Sequence, residues 1–105
     1  MQIRQLTLKE LYEAYDLVKH IRELSYEEFE DLVYEMKERY TMMGVFEKEH
    51  LLAFAGVDIV TTLKDGRHLR VYEITARDPQ SLHEMQRYLD DYAKISAARK
   101  VVYES

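Results

Sequence analysis

Val71-Tyr72-Glu73-Ile74-Thr75-Ala76-Arg77-Asp78-Pro79 is the stretch on which the fold turns. Leu69 to Ala76 reads as a strand, and Asp78-Pro79 breaks it, with Pro79 near a first helical position. Leu82, Met85, Leu89, Tyr92 and Ile95 then recur at helical spacing as the stripe of a third helix. Lys100-Val101-Val102-Tyr103 is a last strand. Upstream, Met43-Gly44-Val45-Phe46-Glu47 and Leu51 to Val60 read as two strands joined by a tight turn near Lys48-Glu49-His50. Lys64-Asp65-Gly66 supplies a second turn, because Asp-Gly accommodates the positive-φ residues that hairpins prefer.

Further back, two helices carry their own start signals. Thr7-Leu8-Lys9-Glu10 is a capping box, and Leu8, Leu11, Tyr15, Val18 and Ile21 predict a helix from about residue 8 to 22. Ser25-Tyr26-Glu27-Glu28 repeats the capping pattern before the stripe Phe29, Leu32, Val33, Met36 and Tyr40. Met1 to Leu6 alternates as a short first strand. The order is β-α-α-β-β-β-α-β: a mixed α/β fold of the α+β type, with a mainly antiparallel central sheet flanked by helices and residues 1–105 forming a single domain.

Composition narrows the function classes. Hydrophobic residues make up 47% of the chain and charged residues 33%, with three glycines and one proline, which is a globular and not a disordered balance. The lack of cysteine excludes disulfides, thiol catalysis and cysteine-ligated zinc, and fits a cytoplasmic setting. The N-terminus shows no signal-peptide pattern, and no apolar run approaches the roughly 20 residues that cross a bilayer. With a net charge of −5 and no Lys/Arg cluster, neither nucleic acid nor a membrane is expected as a partner. Acidity of this kind confers solubility, and it also attracts cationic partners such as amines.

Four histidines, His20, His50, His68 and His83, lack ligand spacing, so no metal is expected. No serine sits in a nucleophile elbow. The acidic series Glu27, Glu28, Glu30, Asp31, Glu35 and Glu38 marks the solvated face of the second helix, and part of it could face a substrate. Glu73 is the candidate catalytic residue: within a central strand its carboxylate would be partly desolvated, which favours a general base. The alternative is an acid paired with Arg70 or His68.

Ile3-Arg4-Gln5-Leu6-Thr7, the two capped helices, the hairpin from Gly44 to Val57, and Val71 to Pro79 together resemble the GNAT superfamily of N-acetyltransferases. The resemblance covers this whole chain and about the first two-thirds of a typical GNAT domain. It implies acetyl-CoA as a cofactor, held through backbone groups at Ile74, Thr75 and Ala76, and an acid near Glu73 that serves or relays to the base. Family members follow the Asp-Pro with a loop R/Q-x-x-G-x-G/A whose amides hold the pyrophosphate at a helix start. Here Arg77-Asp78-Pro79-Gln80-Ser81-Leu82-His83-Glu84 has no glycine, which leaves only the bare helix start near Gln80 and Ser81 as an anion site. The family's next helix and last two strands, which carry a tyrosine general acid, have no counterpart up to Ser105.

Three functions remain open on these grounds. One is a shortened GNAT-like domain with lost or weakened acetyl transfer and a binding or regulatory role. Another is an active N-acetyltransferase completed by a second subunit, with Glu73 as base. The third is an acidic interaction module with no coenzyme A role. A free edge around Val101 to Tyr103 predicts a homodimer or a protein partner that covers it.

Overall fold

The structure, a computed structural model, describes residues 1–104. Five strands lie side by side in sequence order: β1 (Gln2–Gln5), β2 (Thr41–Glu47), β3 (His50–Thr62), β4 (Gly66–Ala76) and β5 (Val101–Tyr103). The first four pair antiparallel, and β5 pairs parallel to β4. A two-residue turn joins β2 to β3, with Lys48 and Glu49 both at positive φ. This is the hairpin geometry whose twist matches the flanking strands. Gly66, at φ +66, opens β4 after the second turn.

Helix α1 (Leu11–Val18) follows a turn of 3-10 helix at Leu8–Glu10, and α2 (Tyr26–Met36) starts at Ser25, whose hydroxyl accepts the Glu28 N–H at 3.1 Å. Both lie on one face of the sheet, where Leu11, Leu17, Val18, Phe29 and Val33 pack on Met42, Phe46, Leu51 and Phe54. Helix α3 (Pro79–Ile95) covers the other face, setting Met85, Leu89 and Ala93 on Met43, Val45, Ala53, Ala55, Val57, Leu69 and Val71.

The element order and the sheet match the sequence expectation, and several details do not. The first helix ends at Val18, not at residue 22. Turn bonds carry residues 20–22 away from its axis, so Ile21 is exposed. Leu8 is also exposed, in the 3-10 turn. On α2 only Phe29 and Val33 are buried, while Leu32 and Met36 are largely exposed and Tyr40 lies past the helix end. On α3 the buried line is Ser81, Met85, Leu89 and Ala93. Small side chains therefore face the sheet at both ends, and Ile95 is 84% exposed.

One irregularity governs the rest. Between β3 and β4 the register jumps: Val57 faces Val71, but Gly56 faces Glu73. Tyr72 is thus an extra residue, a β-bulge, and side chains beyond it exchange faces. Val71 and Ile74, three residues apart, consequently join the same cluster under α3.

Candidate functional site

The bulge at Tyr72 delivers Glu73 to the α1/α2 face, opposite Gly56. Without the extra residue, strict alternation would turn the carboxylate toward α3. Gly56 has no side chain for a reason: a Cβ there would lie 1.8 Å from the Tyr40 hydroxyl oxygen. The space left by Gly56 lets the Tyr40 hydroxyl donate to Glu73 Oε1 at 2.5 Å. Burial, and then the neighbouring Glu73 charge, push the Tyr40 phenol well above its ordinary pKa, so Tyr40 keeps its proton and remains the donor.

The second partner comes from the loop after α1. Arg22 sets its Nε 3.3 Å from Glu73 Oε2 and donates from Nη2 to the Tyr72 carbonyl at 2.8 Å. Its Nη2 also lies 3.2 Å from Glu73 Oε2. The expected partners of Glu73 are engaged elsewhere. Arg70 pairs with Glu104 at 3.2 Å, and the buried His68 ring sets Nδ1 2.9 Å from the Gly66 carbonyl oxygen. Glu73 is therefore an ion-paired, hydrogen-bonded acid held from two directions.

Two clefts meet at this group. One, of about 450 Å³, runs between the α1–α2 loop and α2, with Phe29, Leu32, Val33 and Met36 as its apolar wall and Arg22 and Glu73 at its end. The other, of about 420 Å³, is bounded by Arg39, Tyr40, Asp58, Tyr72 and Glu73. Glu73, Tyr40 and Met36 line both.

Beyond the bulge, β4 has no outer neighbour among the described residues. Pairing with β5 spans Leu69 to Val71 and closes with the Glu104 N–H donating to the Val71 carbonyl at 2.9 Å. Arg77 N–H donates to Leu52 O at 2.8 Å, so by alternation Thr75 and Glu73 turn their backbone groups toward β3, and Ile74 and Ala76 turn theirs to the open side. The side chains of Ile74 and Ala76 lean into the α3 cluster.

At the start of α3 the anion position is filled from within. Asp78 caps the helix, its Oδ1 accepting the Ser81 N–H at 2.8 Å and its Oδ2 accepting the Ser81 hydroxyl at 3.1 Å. Ser81 is fully buried and Gln80 is exposed on the first turn. The adjacent Arg77 is committed to the Leu51 carbonyl at 2.9 Å and to Asp16 at 3.2 Å. Among the described residues, no group of three or more His, Asp or Glu side chains is placed to hold a metal ion. Among the described residues, no helix is long and apolar enough to cross a membrane.

No protein-family model matches the sequence, and no curated protein does. Solved structures do. A GNAT family acetyltransferase from Staphylococcus aureus superposes with a TM-score of 0.84 at 8% identity, over 99% of this chain and 85% of that one. A ribosomal-protein-alanine N-acetyltransferase from Brucella melitensis gives 0.77 at 18% identity, over 98% and 78%. An aminoglycoside N-acetyltransferase in complex with CoA gives 0.81 at 12% identity, over 99% and 76%. This is a GNAT-like fold.

Within the GNAT-like fold, the sequence-predicted residues are split. Glu73 lies on the α1/α2 face, Ile74 and Ala76 send their side chains to the α3 face, and the Thr75 backbone is taken up by β3. Gln80 lies exposed and Ser81 buried on the first turn of α3. Sequence reading missed Arg22, Tyr40 and the Tyr72 carbonyl. For Tyr40 a signal existed: Gly56, a glycine inside an apolar strand, marks a close approach by another group. For Arg22, 51 residues from Glu73, no local pattern could have served.

Proposed function

We propose that this GNAT-like domain has lost or weakened acetyl transfer and acts by binding at the cleft between α2 and the end of β4. The observation that carries this reading is the Asp78 carboxylate on the Ser81 amide at the start of α3. Acetyl-CoA, the cofactor the fold implies, fits only in part. The open backbone of Ile74 and Ala76 suits its pantetheine arm. The pyrophosphate end does not fit, because a helix start that neutralises its own aspartate repels a second anion. Gln80 and Ser81 add no glycine backbone for close approach, and Ser81 already serves Asp78. Each charge-assisted hydrogen bond missing from such a cradle is worth roughly 1.5–3 kcal/mol. Calorimetric titration with acetyl-CoA tests the reading. No saturable binding at micromolar concentration is the expected result, and tight stoichiometric binding overturns it.

The position of Glu73 at the end of a cleft favours a second reading, an active N-acetyltransferase completed by a second subunit with Glu73 as base. That base would first have to be released from Arg22. Acetylation of an amine acceptor, with specific activity rising as the protein is concentrated, would establish it. In either reading the outer edge of β5, at Val101 to Tyr103, is available to a second copy or another protein. Light scattering across a dilution series that shows only monomer would count against a homodimer.

A further inference from the structure

The β3–β4 hairpin overhangs its neighbour. Strand β2 begins at Thr41, opposite Val57, so Asp58 to Thr62 have β4 on one side and, among the described residues, no strand on the other. The direction of the backbone groups follows from the far side of β4. There the Leu69 N–H donates to the Lys100 carbonyl, and the Arg67 carbonyl accepts the Arg99 N–H. Leu69 and Arg67 thus face β5, and their partners Ile59 and Thr61 turn N–H and C=O to the outer edge. This edge is unguarded. It holds no lysine, proline or bulge, its register runs unbroken from Val57 to Thr62, and Ile59, Val60 and Thr61 are all β-branched.

We propose that Asp58 to Thr62 pairs antiparallel with the same segment of a second copy, on a two-fold axis at Val60, and that the partner's Val60 and Thr62 then wall the second cleft. The segment is its own complement. With Val60 on the axis, Ile59 faces the partner's Thr61 and Thr61 faces the partner's Ile59, so every outward N–H and C=O of these residues finds a mate. Asp58 faces the partner's Thr62, and no like charges are opposed. The slot also fits in length. An added strand meets Thr41 at the start of β2, and the stretch from Asp58 to Thr62 ends at its own turn before it would collide. A longer foreign strand would run into Thr41 or past the hairpin tip, where no ladder remains. Cross-strand partners share a face, and Asp58 and Val60 line the cleft of about 420 Å³ with Tyr40, Tyr72 and Glu73. The partner's Thr62 and Val60, opposite them, therefore extend that wall beyond the sheet edge. The interface requires neither coenzyme A nor chemistry at Glu73, so it stands or falls apart from the functional readings above.

The chain has no cysteine, so a single introduced one reports a single contact. Val60→Cys is expected to give a disulfide-linked dimer on mild oxidation. Its two copies form a non-hydrogen-bonded pair with Cα atoms about 4.5 Å apart, within disulfide reach. Tyr103→Cys, on the β5 edge, is expected to remain unlinked under the same oxidation. In sedimentation the wild-type chain is expected to dimerise as its concentration rises. Thr61→Pro removes one outward N–H per copy and no bond to β4, and is expected to weaken the dimer about tenfold or more. A wild-type chain that stays monomeric at its highest soluble concentration overturns the proposal. So does a folded Thr61→Pro variant that dimerises like the wild type, or linkage through Tyr103→Cys in place of Val60→Cys. Should Thr61→Pro fail to fold, the Val60→Cys linkage decides alone, and its absence overturns the proposal.

Discussion

Under α3 the sheet offers Val45, Ala53, Ala55, Val57, Leu69 and Val71 to Met85, Leu89 and Ala93, and all of these side chains are closed off from water. Under α1 and α2 the same strands begin in the same way, with Phe46, Leu51 and Phe54, and then turn to Gly56, Asp58 and Glu73. Here packing stops short, and two clefts remain. The difference shows how one sheet divides its labour. Small and branched side chains let α3 settle closely, which supplies the stability against which the opposite face can keep a carboxylate, a phenol and a guanidinium in one fixed arrangement. The two faces also differ in their polar groups, which are nearly absent under α3 and concentrated at the Tyr72 bulge on the other side.

The sharpest way to break the contrast is to open the closed face. Leu89→Ala removes a fully buried side chain from it and is expected to cost about 2–5 kcal/mol, read from urea unfolding. A loss below about 1 kcal/mol would mean that α3 packs loosely after all. Next comes Gly56→Ala on the open face. Its Cβ would displace Tyr40 from Glu73, with an expected loss of about 1–3 kcal/mol. Amide exchange in α3 should stay as in the wild type, since the disturbance is confined to one side. Equal loss of protection in both layers would show that the faces do not act separately.

Asp78 sits where the two faces meet, at the turn from β4 into α3. Asp78→Ala removes the cap and is expected to lower stability by about 1 kcal/mol, whereas Asp78→Asn keeps it within a few tenths. The asparagine variant is also expected to bind acetyl-CoA better than the wild type, because it leaves the helix start without its own anion. Unchanged binding would remove Asp78 as the cause of the poor fit. The smallest effect concerns the outer edge of the α1/α2 layer. The Arg4 guanidinium, through hydrogen bonds of 2.9 and 2.6 Å, holds the Glu10 carboxyl down to about 2. A carboxyl lowered in the folded state stabilises above its unfolded pKa, near 4.5, and that stability is lost as the pH falls from there toward 2. The pair is partly exposed, so about 1 kcal/mol or less is expected between those limits, and Arg4→Gln should flatten that stretch of the stability–pH curve.

Much of this architecture was written in local patterns. The capping pairs at Thr7/Glu10 and Ser25/Glu28, the turn residues and Asp78-Pro79 act on their near neighbours, so their meaning survives without the fold. The bulge was not legible, because reading Val71 to Ala76 at period two leaves no room for an inserted residue. The faces of Glu73, Ile74 and Thr75 all follow from that one position. The α3 stripe misled at Ile95 because large apolar residues were counted, whereas the helix seats itself on the sheet through Ser81 and Ala93. Of the candidate site, Glu73 was found from its chemistry. Its partners were hidden because Arg22 and Tyr40 reach it only through tertiary contact.

The parallel pairing of β5 carries a consequence for how the chain assembles. Strands β2, β3 and β4 meet across turns of a few residues, as at Glu47↔His50 and Thr62↔Gly66, so those contacts close quickly. Val101 meets Leu69 only after α3 has formed and carried the chain back along the sheet. Its contacts are few and distant in sequence, which makes β5 a late-docking and early-leaving strand. The β5 strand can thus loosen from β4 without disturbing the hairpins that position Glu73.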